Sequence, residues 1–352
     1  MPWRGKAQMN LEIIDPVDYP GWDELLLKSG DHSFFHSSAW ARVLAESYGY
    51  KPIYFASFKD DRLSFLMPLM EVRSPLTGRR GVSLPFTDQC APFVMKREFL
   101  QGTINRAIDY GEKFGWRYIE WRDASYFDER TPPSETFYAH DLSLEMTEAE
   151  LFSSFRDNNR RNIKRAVKDG VAVRIEQSLD AVKTFFRLNC ITRKRHGLPP
   201  QPYSFFKNIF IHVVSKGNGI VVCARHDGKT IAASVFFHFG TSALYKYGAS
   251  DLAYQNLRPN NLIMWETLKW YRNRAFNTLS LGRSELDNLG LLQYKRTWGA
   301  KESVIKYHRF DYRKKQFVQN LPGVSDSYKK IFSRTPIAIL RIAGQLLNKH
   351  FG

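Results

Sequence analysis

Two stretches far apart in the chain share one design. "PIYFASFKDDRLSFLMPLM" has two apolar runs around Asp60-Asp61, and "GIVVCARHDGKTIAASVFFHF" has two around Asp227-Gly228. Short apolar runs on either side of a two-residue turn predict β-hairpins. Each is followed by a helical pattern, a break and another apolar run. "TINRAIDYGEKFGWRYIEWRD" breaks at Gly115 and its strand is expected to end at Arg122. "LIMWETLKWYRNRAFNTLSLGR" breaks at Asn277 and its strand is expected to end at Arg283. Asp227 lies 167 residues after Asp60, and Arg283 lies 161 after Arg122. The spacing predicts an α/β (α+β) chain made of two copies of one unit. Residues 1–150 form the first domain, 151–315 the second, and 316–352 a basic amphipathic tail.

Length agrees, because 352 residues exceed what one core usually holds. The 52 Lys and Arg against 35 Asp and Glu give a net charge of +17. That excess points to polyanionic partners: nucleic acid, an anionic membrane or phosphate-rich substrates. Cys90, Cys190 and Cys223 are too scattered for a disulfide framework or a zinc site, which fits a reducing cytoplasm. The opening "MPWRGKAQMNLEIIDP" lacks the apolar core of a signal peptide, and no run reaches the ~18 apolar residues of a membrane span.

Between the copies, "LFSSFRDNNRRNIKRAVKDGVAVRI" reads as one helix stopped by Gly170, then a strand. Phe155, Ile163, Ala166 and Val167 fall on one side. Arg160, Arg161, Lys164, Arg165 and Lys168 crowd the opposite arc, where like charges repel unless something anionic compensates. The cluster is a candidate RNA- or phosphate-facing surface. "RTPIAILRIAGQLLNKHFG" predicts a helix capped by Thr335, with Pro336 first. Its broad apolar face, Ile339 to Phe351, either docks on the chain's own core or lies in an anionic membrane interface.

The chain has no H-E-x-x-H, P-loop, G-x-S-x-G or G-x-G-x-x-G motif. His196 and His238 have no acid or metal-ligand partner at a useful spacing, and no metal is called for.

Six strings in order resemble the FemAB-like family, peptidyltransferase relatives with tandem GNAT-type acyltransferase units: "FHSSAWARVL", "DNNRRNIKRAVKDGV", "TRKRHGLPPQPYSFF", "LYKYGAS", "LRPNNLIMWETLKW" and "LGRSELDNLGLLQYKRTWGA". The nearest likeness is to the FemAB-related subgroup of PEP-CTERM/exosortase systems and to the BioF2-like acetyltransferase domain. The resemblance implies two tandem GNAT-like domains, mixed sheets flanked by helices, with the active site in the second. It implies transfer of an aminoacyl or acyl group to an amine of a cell-envelope precursor, peptidoglycan or exopolysaccharide. The carrier would be aminoacyl-tRNA or acyl-CoA, with no bound cofactor. It also implies that a lysine directly after an aromatic, here Tyr294-Lys295, stabilises charge on the reacting carbonyl.

Acyl transfer puts negative charge on oxygen, and a fixed cation in a dry pocket stabilises it. Leu291, Leu292 and Trp298 could supply the walls. From the residues alone, Lys295 reads by default as a surface lysine near a helix end; the resemblance is what favours a catalytic role. Glu285 and Asp287 are candidate proton acceptors or turn caps. Arg283, Arg193, Lys194 and Arg195 are candidates for substrate phosphates. Ser284, Asn260, Tyr294 and Tyr247 are further candidate contacts, Tyr247 sharing one strand face with Tyr245. An acyl-CoA loop needs glycines at "QNLRPNNLIMW", where Arg258, Pro259 and Asn260 stand instead, and proline removes an amide donor. That favours another carrier. Two rivals stay open: an acyl-CoA-dependent N-acetyltransferase, and a non-catalytic binder of RNA or anionic lipid. The protein is expected in the cytoplasm, with peripheral contact at the inner membrane face through 335–351 as an open alternative.

Overall fold

The structure, a computed structural model, is described for residues 10–30, 32–94, 99–123, 127–128, 130–319 and 326–351. The start of the chain and parts of "DASYFDERTPP" therefore lie outside the described residues. The described residues fall into two compact units. One takes those up to Glu135 and those between Lys306 and Leu321; the other takes those between Thr136 and Ile305 and those between Pro322 and Phe351. These packed units divide at Glu135 and again at Ile305, rather than at 150 and 315.

The first unit contains β1 (Glu12–Ile14), α1 (Trp22–Leu27), α2 (Ser38–Tyr48), β2 (Lys51–Lys59), β3 (Arg62–Ser74), β4 (Gly78–Val82), β5 (Phe93–Val94), α3 (Leu100–Lys113) and β6 (Tyr118–Arg122). The second contains β7 (Glu135–Ser143), whose first residue belongs to the other unit, then α4 (Glu148–Ser154), α5 (Asp157–Lys168), β8 (Ala172–Glu176), α6 (Leu179–Arg195), α7 (Tyr203–His212), β9 (Gly219–His226), β10 (Lys229–Phe239), β11 (Ser242–Ser250), α8 (Pro259–Arg272), β12 (Thr278–Glu285) and α9 (Leu289–Arg296). Strand β13 (Lys301–Asp311) starts in the second unit and ends in the first, where β14 (Gln316–Val318) pairs with it; α10 (Asp326–Arg334) and α11 (Ile337–Leu347) follow.

The duplication is present strand for strand. Strands β1 to β4 form an antiparallel run, α3 crosses over, and β6 pairs parallel to β4, with Gly81 beside Ile119. Strands β8 to β11 repeat that run, α8 crosses over, and β12 pairs parallel to β11, with Ala243 beside Leu279. Both first hairpins close on two residues with positive φ, Asp60 and Asp61 (50° and 56°) and Asp227 and Gly228 (47° and 75°). That conformation matches the strand twist and suits Asp and Gly. The last strands are exchanged: β7 follows β6 in the chain but pairs with β12, and β13 follows β12 but pairs with β6.

Each sheet is packed through its apolar residues. In the first unit, Ile53, Phe55, Phe65, Met67 and Leu69 meet Leu100, Ile104 and Ala107 of α3 around Trp116 and Trp121. In the second, Ile220, Val222, Ala232 and Phe236 meet α8 and α5 through Leu262, Trp265, Leu268, Ile163 and Ala166. Phe185, Phe205 and Phe206 of α6 and α7 gather on Tyr247 and Phe237. Cys90, Cys190 and Cys223 are buried free thiols, and burial pushes Cys190 up to about 11 and Cys223 up to about 12.

Several boundaries differ from the sequence reading. The helix between the copies is two helices, α4 with a Thr147–Glu150 capping box and α5 after extended Phe155 and Arg156. Val167 is exposed. Helix α8 ends at Arg272, and Ala275 (φ 56°), not Asn277, takes the left-handed position beyond it. Strand β12 runs two residues past Arg283. Thr335 bonds back to Ile331 O at 2.9 Å, and Pro336 occupies the cap of α11. No helix among the described residues is long and apolar enough to cross a membrane.

Glycines mark the tightest contacts. A Cβ on Gly81 would lie 2.0 Å from the Trp116 ring, whereas one on exposed Gly102 of α3 would meet nothing within 4 Å. Gly81→Ala is expected to cost about 1–3 kcal/mol, and Gly102→Ala to stabilise by about 0.5–1 kcal/mol. Denaturant midpoints of the two variants, compared with the parent chain, check both signs.

Candidate active site

The feature that organises the second unit is a bulge in β12. Ser280 pairs with Asp141 and Arg283 with Ala139, so three steps on β12 match two on β7. One extra residue is accommodated at Leu281-Gly282, where Gly282 has φ 70°. Glycine adopts this left-handed value without a Cβ clash. In a regular strand successive carbonyls point to opposite sides. At this bulge the carbonyls of Gly282 and Arg283 both accept hydrogen bonds from one side chain, the ammonium of Lys295, at 2.7 and 2.9 Å.

Lys295 is only 3% exposed. It sits in the last turn of α9, which Asn288 caps by accepting from Leu291 N at 3.2 Å. Glu285, the last residue of β12, and Asp287, on the turn between β12 and α9, are both exposed. Desolvation and the charge of Asp287 raise Glu285 above the usual carboxylate range, against the opposing pull of Arg283. Leu292 and Trp298 are buried and Leu291 half-buried, so the apolar walls expected from the sequence are present. Trp298 packs edge-on to Phe155 and Tyr294, at 5.0 and 6.0 Å between ring centres.

His140, which the sequence reading passed over, faces this cation from β7. Burial lowers its pKa first, the Lys295 charge lowers it further, and the hydrogen bond to Glu302 opposes both. That bond joins Nε2 to Glu302 Oε2 at 2.9 Å. Glu302 is in turn gripped by Arg296 through two contacts of 2.8 Å, which lowers its pKa. A neutral imidazole donating through Nε2 leaves Nδ1 as an acceptor. Nδ1 is buried with no hydrogen-bond partner among the described residues, and so is Ser284 Oγ, two residues beyond the bulge. Buried polar atoms without partners are uncommon in folded proteins, and Trp298 Nε1 in the adjoining wall is a third.

Around this centre three of the resembling strings converge. The side chain of Asn261 donates to Asn159, and Arg156 N donates to Thr297 O at 3.0 Å, so α8 and the end of α9 are both tied to α5. Asn159 is buried, as is Asn261. Asn260 lies one residue earlier, in the first turn of α8. Arg283 lays its guanidinium on the Phe137 ring at 4.0 Å.

Other candidates are placed elsewhere. The β10–β11 register shifts between Val235 and Phe236, pairing Val235 with Tyr247 and Phe236 with Tyr245. This second bulge separates the two tyrosines: Tyr245 packs with Phe236 in the α8 core, and Tyr247 packs among the phenylalanines of α6 and α7. They do not share a face, and Tyr247 does not join Lys295. Arg193 donates to the Pro199 carbonyl at 3.3 Å, latching the turn after α6, while Arg195 and His196 are exposed there. His238 is structural, bonded to Tyr271 Oη (3.1 Å) and Gly217 O. On α5, Arg160 pairs with Asp157 and Arg165 with Asp169, whereas Arg161 and Lys164 are exposed. No cluster suited to a metal ion occurs among the described residues.

The Acetyltransferase (GNAT) domain family matches residues 153–296, from α4 to the end of α9. A "Lipid II:glycine glycyltransferase" of Staphylococcus epidermidis is 22% identical over 273 residues, covering 58% of this chain and 64% of that protein. The chain therefore spans a little under two thirds of that relative's length. Among solved structures, FemX superposes with a TM-score of 0.66 at 14% identity, covering 87% of this chain and 98% of its own. A tandem GNAT protein from the clavulanic acid biosynthesis pathway gives 0.55 at 9% identity, covering 86% and 98%. These likenesses establish the tandem GNAT-type fold.

The buried histidines set an acid limit on stability. Burial lowers His140, His238 and His308, and lowers His36 to about 4. The folded state therefore binds fewer protons than the unfolded chain below the ordinary histidine value of about 6.5. Stability is full above that pH and is lost as pH falls toward 4, with His36 alone contributing on the order of 3 kcal/mol. Urea midpoints between pH 7.5 and 4 are expected to fall on the acid side, and His140→Gln to flatten part of that fall.

Proposed function

Because this chain belongs to the FemAB-like family, we infer that it is an acyltransferase that moves an aminoacyl or acyl group from an activated carrier onto an amine of a cell-envelope precursor. The observation that carries the reading is Lys295: a buried cation held by two backbone carbonyls on the bulged strand of the GNAT-matched unit. In the reaction the amine attacks the carrier's carbonyl carbon and a tetrahedral oxyanion forms. The carrier oxygen or sulfur then leaves with the electron pair, an amide bond replaces it, and the proton lost by the amine ends on the leaving group. A cation already fixed in a dry site stabilises the oxyanion without reorganising, and losing such a donor typically costs about 100–1,000-fold in rate. His140 Nδ1 and Ser284 Oγ are buried acceptor and hydroxyl positions beside that cation. Glu285, the last residue of β12, and Asp287, on the turn after it, are the acids proposed to take the amine's proton. Arg283, Tyr294 and Asn260 are the side chains proposed to hold the substrates; Arg193, Arg195 and Tyr247 are not.

An aminoacyl-tRNA is the favoured carrier. At the start of α8, Arg258 sits in the left-handed region (φ 56°) and Pro259 has no amide hydrogen. Asn261 N is donated to the Arg258 carbonyl at 3.1 Å. Amides that would cradle a CoA pyrophosphate at a helix N-terminus are withheld. The exposed Arg161 and Lys164 of α5 suit an RNA backbone. The likeness to a staphylococcal Lipid II:glycine glycyltransferase makes a peptidoglycan precursor the first acceptor to test, ahead of an exopolysaccharide amine.

Labelled glycyl-tRNA and a lipid-linked muropeptide should give labelled product. Lys295→Met is expected to reduce turnover at least 100-fold. Because it also strips donors from two carbonyls, Lys295→Arg is run beside it; it should restore the urea midpoint more fully than the rate. Micromolar binding of acetyl-CoA by calorimetry, with acetyl transfer and no transfer from tRNA, would favour the acyl-CoA enzyme instead. Substituting Arg161 and Lys164 with Glu should weaken tRNA binding and reduce its salt dependence, measured by filter binding at 50 and 200 mM salt.

A further inference from the structure

Helix α11 is amphipathic in the reverse of the usual sense. It docks on the second unit through Leu340, Gly344 and Asn348, spaced four residues apart. The approach is close: a Cβ on Gly344 would lie 1.9 Å from Pro200 O, and Asn348 donates to that same carbonyl at 3.0 Å. The large apolar side chains point the other way. Ile339, Ile342 and Leu346, with Ile331 of α10 and Phe351, are between 55% and 65% exposed. A surface helix ordinarily buries such residues and shows its polar ones, and a clustered apolar patch marks an interaction site.

Charge identifies the partner. Residues 327–351 contain no Asp or Glu, yet include Lys329, Lys330, Arg334, Arg341 and Lys349. We propose that α10 and α11 form a membrane-docking surface that lies flat in the headgroup region of an anionic bilayer, apolar side chains inward and basic ones at the phosphate level. A span is ruled out by length, since the 11 residues of α11 rise about 16 Å against ~30 Å of hydrocarbon. A second copy of the chain is a poor occupant, because a symmetric pairing would bring two strongly basic strips together. The proposal is independent of the acyl-transfer reading: it concerns a surface distant in sequence from Lys295 and is read without turnover.

The test is co-sedimentation of the full chain with vesicles of phosphatidylcholine alone or with 30% phosphatidylglycerol. The chain should pellet with the anionic vesicles, and bind at least tenfold more weakly to neutral ones or at high salt. Ile339→Ser, Ile342→Ser and Leu346→Ser together should reduce binding at least tenfold while the urea midpoint changes little, because these side chains are more than half exposed. Substituting Lys330, Arg334 and Lys349 with Glu should do the same through charge. Absence of binding to anionic vesicles would overturn the proposal. So would equal binding by the triple-serine variant, or a dimer of the parent chain that this variant abolishes while neither form binds vesicles.

Discussion

The second unit depends on a mutual arrangement between a strand and a side chain. The Gly282 bulge turns two successive carbonyls to one side, and Lys295 comes from α9 to satisfy both. Neither part stands without the other. Buried carbonyls lacking a donor would cost about 1–3 kcal/mol each, and a buried ammonium lacking acceptors would cost more. The same bulge shifts the register against β7 and places His140 opposite it, so the bulge, the lysine and the His140–Glu302–Arg296 chain form one construction. Its result is a fixed positive charge in an apolar setting, the property that stabilisation of an acyl-transfer oxyanion requires.

The first copy shows what the second has changed. At an offset of 161, Glu120, Trp121 and Arg122 of β6 correspond to Leu281, Gly282 and Arg283 of β12. Trp121 is fully buried in the first core, and Glu120 is held between Arg122 and Arg309. Burial alone would raise the Glu120 carboxyl, but the two guanidiniums outweigh it and bring it down to about 2. That arrangement is a closed ion-pair network with no bulge. In the second copy Leu281 stands in place of the acid and Gly282 in place of the tryptophan, and Arg283 stacks on Phe137. One copy closes this position with an ion-pair network and the other opens it into the bulge that holds Lys295; strands β7 and β13 are exchanged in the chain path.

The fold was legible because turn chemistry and apolar patterning are local. Asp60-Asp61 and Asp227-Gly228 announce hairpins wherever the chain later packs. What escaped reading was set by irregularities or by distance. A bulge in β11 separates Tyr245 from Tyr247, which plain alternation would keep together. His140 carries no local signal because its partner Glu302 lies 162 residues away. Arg193 looks like a phosphate ligand in sequence, yet a nearby turn carbonyl engages it. The lysine itself was legible only through the resemblance of its string, because a lysine near a helix end carries no local sign of burial.

The central claim is that Lys295 faces the developing oxyanion while anchored to the bulge. The most direct measurement is a crystal structure with a phosphonate analogue of the tetrahedral intermediate, joining an aminoacyl group to the acceptor amine. The account predicts a phosphonyl oxygen within about 3 Å of Lys295 Nζ, with the bonds to Gly282 and Arg283 carbonyls retained. A phosphonate bound elsewhere in the unit, with Lys295 still wholly enclosed by backbone carbonyls, would make the lysine a strut of the fold and contradict its role in the chemistry.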